Sequence, residues 1–269
     1  MKNDLTRNFK IEDEKIMFLE SLRGIAALTV AISHLRMNSF FNNDFTENSS
    51  LMVDMFFVLS GFVIALNYQE NIRSFRELYR FQLKRFWRLY PLHFITLMGF
   101  LFIELTKLSA SHLMNINLSV NAFETNDLWS FIQNLFLIQN LINAETTWNG
   151  VSWSVSAEFY MYIFFGILCV ISKGKKSKLF LFLFLIVLCT ILSFLYLANN
   201  LNILPNNGFV RCIYSFFLGV IAWNLGKKIN TFIPSWLLYF FFPCCIFCVA
   251  YFPDSTSKYY WLIPCLFAT

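Results

Sequence analysis

Long apolar runs recur along the chain, at about 16 to 37, 51 to 69, 91 to 108, 151 to 172, 179 to 198, 209 to 225, 232 to 252 and 259 onward. About 20 mostly apolar residues cross the hydrocarbon of a bilayer as one helix. The pattern therefore predicts an all-α integral membrane protein, a polytopic helical bundle of about eight transmembrane segments. The polar stretches between the runs give its orientation. Lys2, Arg7, Lys10 and Lys15 precede the first run, Arg73, Arg76, Arg80, Lys84, Arg85 and Arg88 lie between the second and third, Lys173, Lys175, Lys176 and Lys178 between the fourth and fifth, and Lys227 and Lys228 after the sixth. The opposite loops and adjoining helix ends hold Arg36, Lys107 and Lys258 and collect Asp44, Glu47, Glu124, Asp127, Glu145 and Asp254. The positive-inside rule then places the N-terminus in the cytoplasm and every second loop outside.

One outer connection, 109 to 150, is much longer than the rest, and its stretch from Trp129 to Leu141 carries apolar residues at helical spacing. It reads as a re-entrant or interfacial segment. With no internal repeat or appended polar domain, residues 1–269 read as one transmembrane domain. The last run stops at Thr269, about eleven residues after Lys258, too short for about 30 Å of hydrocarbon at 1.5 Å per residue. The expectation is that the chain is incomplete at its C-terminus.

Composition sharpens the class: 57% of the residues are hydrophobic, 19% aromatic and 14% charged, against about 45–50% apolar and about 25% charged in soluble domains. A soluble domain, a disordered chain and a nucleic-acid partner are excluded. The seven cysteines are odd in number and lie in apolar stretches, so neither disulfides nor a metal site is expected. Cys245 and Cys248 have a CxxC spacing, but Phe and Ile separate them and no His or carboxylate is close. The first fifteen residues mix acids with bases, and Glu20 and Arg23 interrupt the following run, which makes it a first membrane helix rather than a secretory signal.

Ionisable groups inside a bilayer cost about 2.5–3.5 kcal/mol at its centre, so each is a candidate for chemistry. The runs contain Glu20, Arg23, His34, Asp54, His93, Glu104, Glu158 and Arg211. Arg23 and His34 are eleven positions apart, three helical turns plus about 20°, so they share a face about 16 Å apart along the axis. His34 and Asp54 fall on antiparallel neighbours at matching depth, about 10 Å outward of the midplane. A carboxylate that accepts from one imidazole nitrogen leaves the other free to take a proton from an alcohol. Glu158, with Trp153, Ser154 and Ser156, enters the same outer half; the competing reading is a polar latch between helices.

At the cytoplasmic end, RFQLKRFWRLYP sets Arg80, Lys84, Arg85 and Arg88 among Phe81, Phe86, Trp87 and Tyr90. Such a segment serves either as a positive-inside anchor with belt aromatics or as a clamp for a phosphorylated donor, since Arg grips phosphate bidentately. Arg23 could extend the clamp into the membrane. Most of the bilayer separates it from His34, which calls for a long, thin donor.

Four segments in order resemble the membrane-bound acyltransferase 3 family. They are FLESLRGIAALTVAISH with Arg23 and His34, LMVDMFFVLSGFVIA with Asp54, Ser60 and Gly61, KRFWRLYPL with Arg85, Arg88, Tyr90 and Pro91, and WSVSAEFYMY with Trp153, Ser154, Ser156, Glu158 and Tyr162. Together they span about residues 17 to 162; family members usually have about ten helices. The resemblance implies an O-acyltransferase of the bacterial cytoplasmic (inner) membrane. Its acyl donor would be acetyl-coenzyme A and its acceptor a cell-surface carbohydrate or lipid-linked precursor. It assigns His34, Asp54 and Glu158 to catalysis and Arg23, Arg85, Arg88, Ser154 and Tyr162 to substrate binding. His34 either removes the acceptor proton or carries the acetyl as an acyl-imidazole; Asp54 orients it; Glu158 with Ser154 or Tyr162 positions acceptor or thioester. The alternatives are a non-catalytic transporter that uses the same groups as a proton or anion path, and an inactive, truncated remnant. Transporters commonly show paired Gly or Pro breaks in two related halves, and the 9 Gly and 6 Pro are not so paired.

Overall fold

The computed structural model describes residues 21, 23–32, 50–114, 120–142, 147–172 and 207–226. Among these residues the regular structure is entirely helical. The helices are α1 (Arg23–Ile32), α2 (Ser50–Tyr68), α3 (Phe75–Met114), α4 (Leu128–Leu135), α5 (Gln139–Ile142), a 3₁₀ turn at Gly150–Ser152, α6 (Trp153–Ser172) and α7 (Asn207–Gly226). Phe75–Leu113 and Gly150–Ser172 are long and apolar enough to cross a membrane; Arg23–Ile32 and Met52–Tyr68 are shorter apolar helices. The chain divides into two compact units, Met1–Leu66 with Ser215–Thr269, and Asn67–Tyr214.

In the first unit, α2 and the second half of α7 cross at two glycines. A Cβ on Gly61 would stand 1.9 Å from the Phe216 carbonyl oxygen, and one on Gly219 would stand 2.0 Å from that of Val58. Each helix thus puts a glycine against the other's backbone, the close approach that small residues allow between membrane helices. Phe57, Val58, Phe216, Phe217 and Val220 are buried around the crossing, and Phe62 meets Trp223 edge to face at 5.5 Å.

The second unit is built on α3 and α6, which run antiparallel. Leu78 packs at Gly166, Phe81 against Tyr162, and Phe86 against Phe159, so residues ascending α3 meet residues descending α6. Sequence placed a helix at 91–108 and a basic loop before it; the structure has one helix of 40 residues, with Pro91 inside it. The reason is packing: 75–90 is amphipathic, and Leu78, Phe81, Gln82 and Phe86 give it a face that docks on α6, with Gln82 Nε2 donating to the Phe159 carbonyl at 3.5 Å. Forty residues make about 60 Å of helix, about twice the hydrocarbon thickness. Exposed Leu92, Ile95, Phe102, Ile103 and Leu105 give the rest of α3 an outer surface suited to lipid.

The long connection folds back onto both helices. The α4 end closes as a Schellman turn: Leu137 N–H donates to Asn134 O at 3.0 Å and Ile138 N–H to Gln133 O at 2.9 Å, with Leu137 in the left-handed region at φ 59°. A leucine there is strained, but its side chain is buried. Four successive carbonyls then accept from α3 and α6: Asn134 O from His93 Nε2 (2.8 Å), Leu135 O from the Tyr90 hydroxyl (3.1 Å), Phe136 O from the Tyr160 hydroxyl (3.1 Å) and Leu137 O from the Ser156 hydroxyl. Backbone carbonyls packed against other helices need donors from the protein, and these side chains supply them. At the other end Asp127 caps α4, accepting from Ser130 N–H at 2.7 Å. Ser130 hydrogen bonding holds the Asp127 carboxyl below its ordinary value. A depressed carboxylate stabilises the fold above its unfolded pKa, about 3.9, and that contribution is lost as pH falls through the lower folded value. In detergent, the melting-temperature gap between wild type and Asp127→Ala should therefore close below about pH 4; a gap constant from pH 6 to pH 3 contradicts the assignment.

Candidate active site

Arg85 is the centre of the second unit's polar chemistry. It sits one turn after Phe81 on α3 and is 8% exposed. Its guanidinium carbon lies 4.9 Å from the Tyr68 ring centroid, 5.6 Å from Phe81 and 5.8 Å from Tyr162. Three aromatic faces on three helices therefore surround one cation. Tyr162 in turn donates its hydroxyl to Glu158 Oε1, one turn back on α6. The structure thus brings together three residues singled out in the sequence, Arg85, Tyr162 and Glu158.

No carboxylate pairs with Arg85 among the described residues, and its buried Nε has no acceptor. Cation–π contacts contribute about 0.5–2 kcal/mol. They do not replace the hydrogen bonds that a buried guanidinium needs. The arrangement is a buried cation among three aromatic rings, with its Nε donor left without an acceptor.

The remaining predicted residues fall elsewhere. Arg88 is exposed, outside the aromatic cage. Ser154 is half-buried and donates to the Val151 carbonyl at 3.3 Å, so it closes the turn that starts α6. Arg23, half-buried on α1, and Asp54 belong to the first unit. Asp54 is 2% exposed and accepts from the Ser215 hydroxyl on α7 at 3.5 Å. His34 lies outside the described residues.

Two further intramembrane candidates have structural roles. Glu104 accepts from Lys107 Nζ, Phe123 N–H and Asn126 Nδ2, each at 2.8 Å, and so ties the connection to α3. His93 anchors the Schellman turn through Asn134 O. Sequence reasoning missed Tyr68 and Ser215. Tyr68 closes α2 and Ser215 is one hydroxyl in an apolar run, and neither position carries a spacing that points to its partner. Phe81 was readable in principle, four positions before Arg85 on one helix. Among the described residues no three His, Cys, Asp or Glu side chains converge as a metal ion requires.

The chain has relatives among known proteins. Acyltransferase MdmB of Streptomyces mycarofaciens is 28% identical over 159 residues, 55% of this chain and 37% of that protein. Protein 2 in the picA locus of Rhizobium radiobacter is 41% identical over 85 residues, 31% of this chain and 43% of that protein. The chain thus matches less than half the length of each of these relatives. No solved structure matches it. The acyltransferase 3 family, described as an acyltransferase domain, matches across residues 16–269, nearly the whole sequence, and the chain belongs to that family.

Proposed function

We propose that this chain is a multi-pass O-acyltransferase of the bacterial inner membrane, a single bundle of about eight spans with a cytoplasmic N-terminus. It moves an acyl group, acetyl by preference, from cytoplasmic acyl-coenzyme A to a hydroxyl of a cell-surface carbohydrate or its lipid-linked precursor. The observation that carries the reading is Arg85, a buried cation in an aromatic cage that no carboxylate among the described residues pairs with. A phosphate of coenzyme A supplies the missing acceptor, and the Arg-rich first half of α3 supplies the surrounding positive charge. The family match and the acyltransferase-named relative support the same reaction class.

In this reading Arg85, with Arg88 and Arg23, holds the donor's phosphates while its thin pantetheine arm reaches inward. His34 takes the proton of the acceptor hydroxyl as that oxygen bonds to the thioester carbonyl carbon. The carbon–sulfur bond then breaks, and the departing thiolate receives the proton from His34. If the acyl group is first carried on the imidazole, the same bonds exchange in two steps. Asp54 orients His34, Ser215 steadies Asp54, and the Glu158–Tyr162 pair, with Ser154 at the head of α6, positions a substrate.

Arg85→Ala should raise the apparent KM for acetyl-coenzyme A about tenfold or more, since a hydrogen bond to a charged group contributes about 1.5–3 kcal/mol. Arg85→Lys should restore only part, having lost the planar fork. Arg88→Ala should have a smaller effect and Lys176→Ala none. Equal, small changes at Arg85 and Lys176 in steady-state kinetics would return Arg85 to the role of a membrane anchor.

A further inference from the structure

A second polar cluster lies where the connection meets the head of α6, and neither the donor clamp nor the proton transfer uses it. Asn140 is 3% exposed, and both its Nδ2 and its Oδ1 are buried without a hydrogen-bond partner. Its neighbour Gln139, 7% exposed, donates Nε2 to the carbonyl and hydroxyl of Ser152 at 3.3 and 3.2 Å, and leaves Oε1 buried and unpartnered. Beside them, α7 comes close because residue 208 is glycine: a Cβ there would stand 3.0 Å from Asn140 Oδ1 and 2.8 Å from the Trp153 ring. The Arg211 guanidinium lies 5.9 Å from the centroid of the same ring.

Unsatisfied buried amide groups are destabilising, and an apolar side chain of similar shape would serve a purely structural site better. The unpartnered set consists of the amide N–H group of Asn140 and two oxygens, one from each residue. An anion would need donors only and a cation acceptors only. A neutral hydroxyl, donor and acceptor at once, matches the set.

We infer that Gln139 and Asn140, with Trp153 beside them, form the subsite that binds hydroxyls of a carbohydrate acceptor. The inference rests on the proposed transfer to carbohydrate, and binding and transfer are measured separately to keep the two distinguishable. The full chain in detergent is titrated with a panel of methyl glycosides (glucoside, mannoside and galactoside) while its melting temperature is followed, and acetyl-coenzyme A consumption is recorded independently. Wild type and Arg85→Ala should be protected by at least one glycoside. Asn140→Leu should melt no lower than wild type in the absence of sugar, yet need at least tenfold more glycoside for half-protection. Asn140→Asp, which keeps the size and removes the amide donor, should show the same loss and serves if the leucine variant does not fold.

A wild type that no glycoside protects overturns the subsite, as does equal half-protection in wild type and Asn140 variants, the outcome expected if the amides hold only water. Protection that the Asn140 variants lose, without acetyl-coenzyme A consumption, upholds the subsite and overturns the transfer reading. Consumption without protection does the reverse.

Discussion

Gly61→Ala should largely unfold the protein rather than loosen it. The added methyl would fall 1.9 Å from the carbonyl oxygen of Phe216, and no flexible side chain can give way because the obstacle is backbone. Overpacking a core costs about 1–3 kcal/mol when neighbours can shift. With a rigid neighbour the loss should exceed about 3 kcal/mol, a large share of a typical total stability of about 5–15 kcal/mol. Gly219→Ala, facing the Val58 carbonyl at 2.0 Å, should behave alike. Gly24 and Gly99 are the internal controls, since a Cβ at either meets nothing within 4 Å; alanine there should be neutral or slightly stabilising through helix propensity, by about 0.5–1 kcal/mol. Yield and thermal unfolding in detergent read all four variants. A normal melting temperature for Gly61→Ala would mean that α2 and α7 do not cross as described.

His34→Ala should abolish transfer while the protein still inserts and melts normally. Removing a general acid–base costs about 10²–10⁴-fold, and removing an acyl carrier costs more. Asp54→Asn should be milder, because an amide keeps some of the carboxylate's hydrogen bonding and loses only its charge. Ser215→Ala should be milder still, since its contact with Asp54 is long at 3.5 Å. Acetyl transfer by His34→Ala at near wild-type rate removes the imidazole from the mechanism. Full activity in Asp54→Asn leaves the acid without a role in it.

The helices at 51–69, 151–172 and 209–225 were legible in the sequence to within one or two residues, because an unbroken apolar run has one stable form in a bilayer. The start of α3 was not. Its first four turns are too charged for a hydropathy pattern, and what makes them helical is docking on α6 through Leu78, Phe81, Gln82 and Phe86. The stretch from Trp129 to Leu141 showed its helical spacing, but the way Tyr90, His93, Ser156 and Tyr160 satisfy four successive carbonyls depends on tertiary contacts between residues up to 45 positions apart. The candidate site divides in the same way. Arg85, Glu158 and Tyr162 stood out as charge and motif in apolar surroundings. Their meeting through the Tyr68–Phe81–Tyr162 cage needed the fold, as did the unpartnered amides of Gln139 and Asn140, which look like ordinary polar residues in the sequence.

In the proposed reaction, acyl groups leave a coenzyme A thioester and arrive on carbohydrate hydroxyls through this chain. NMR of acetyl groups on the surface polysaccharide of cells fed isotopically labelled acetate tests it most directly, comparing cells with the wild-type gene, without it, and with the His34→Ala or Arg85→Ala form. Ester-linked acetyl signals are expected in the wild type, with their loss in the deletion and in His34→Ala and their reduction in Arg85→Ala. Identical acetyl spectra in all four strains would contradict it.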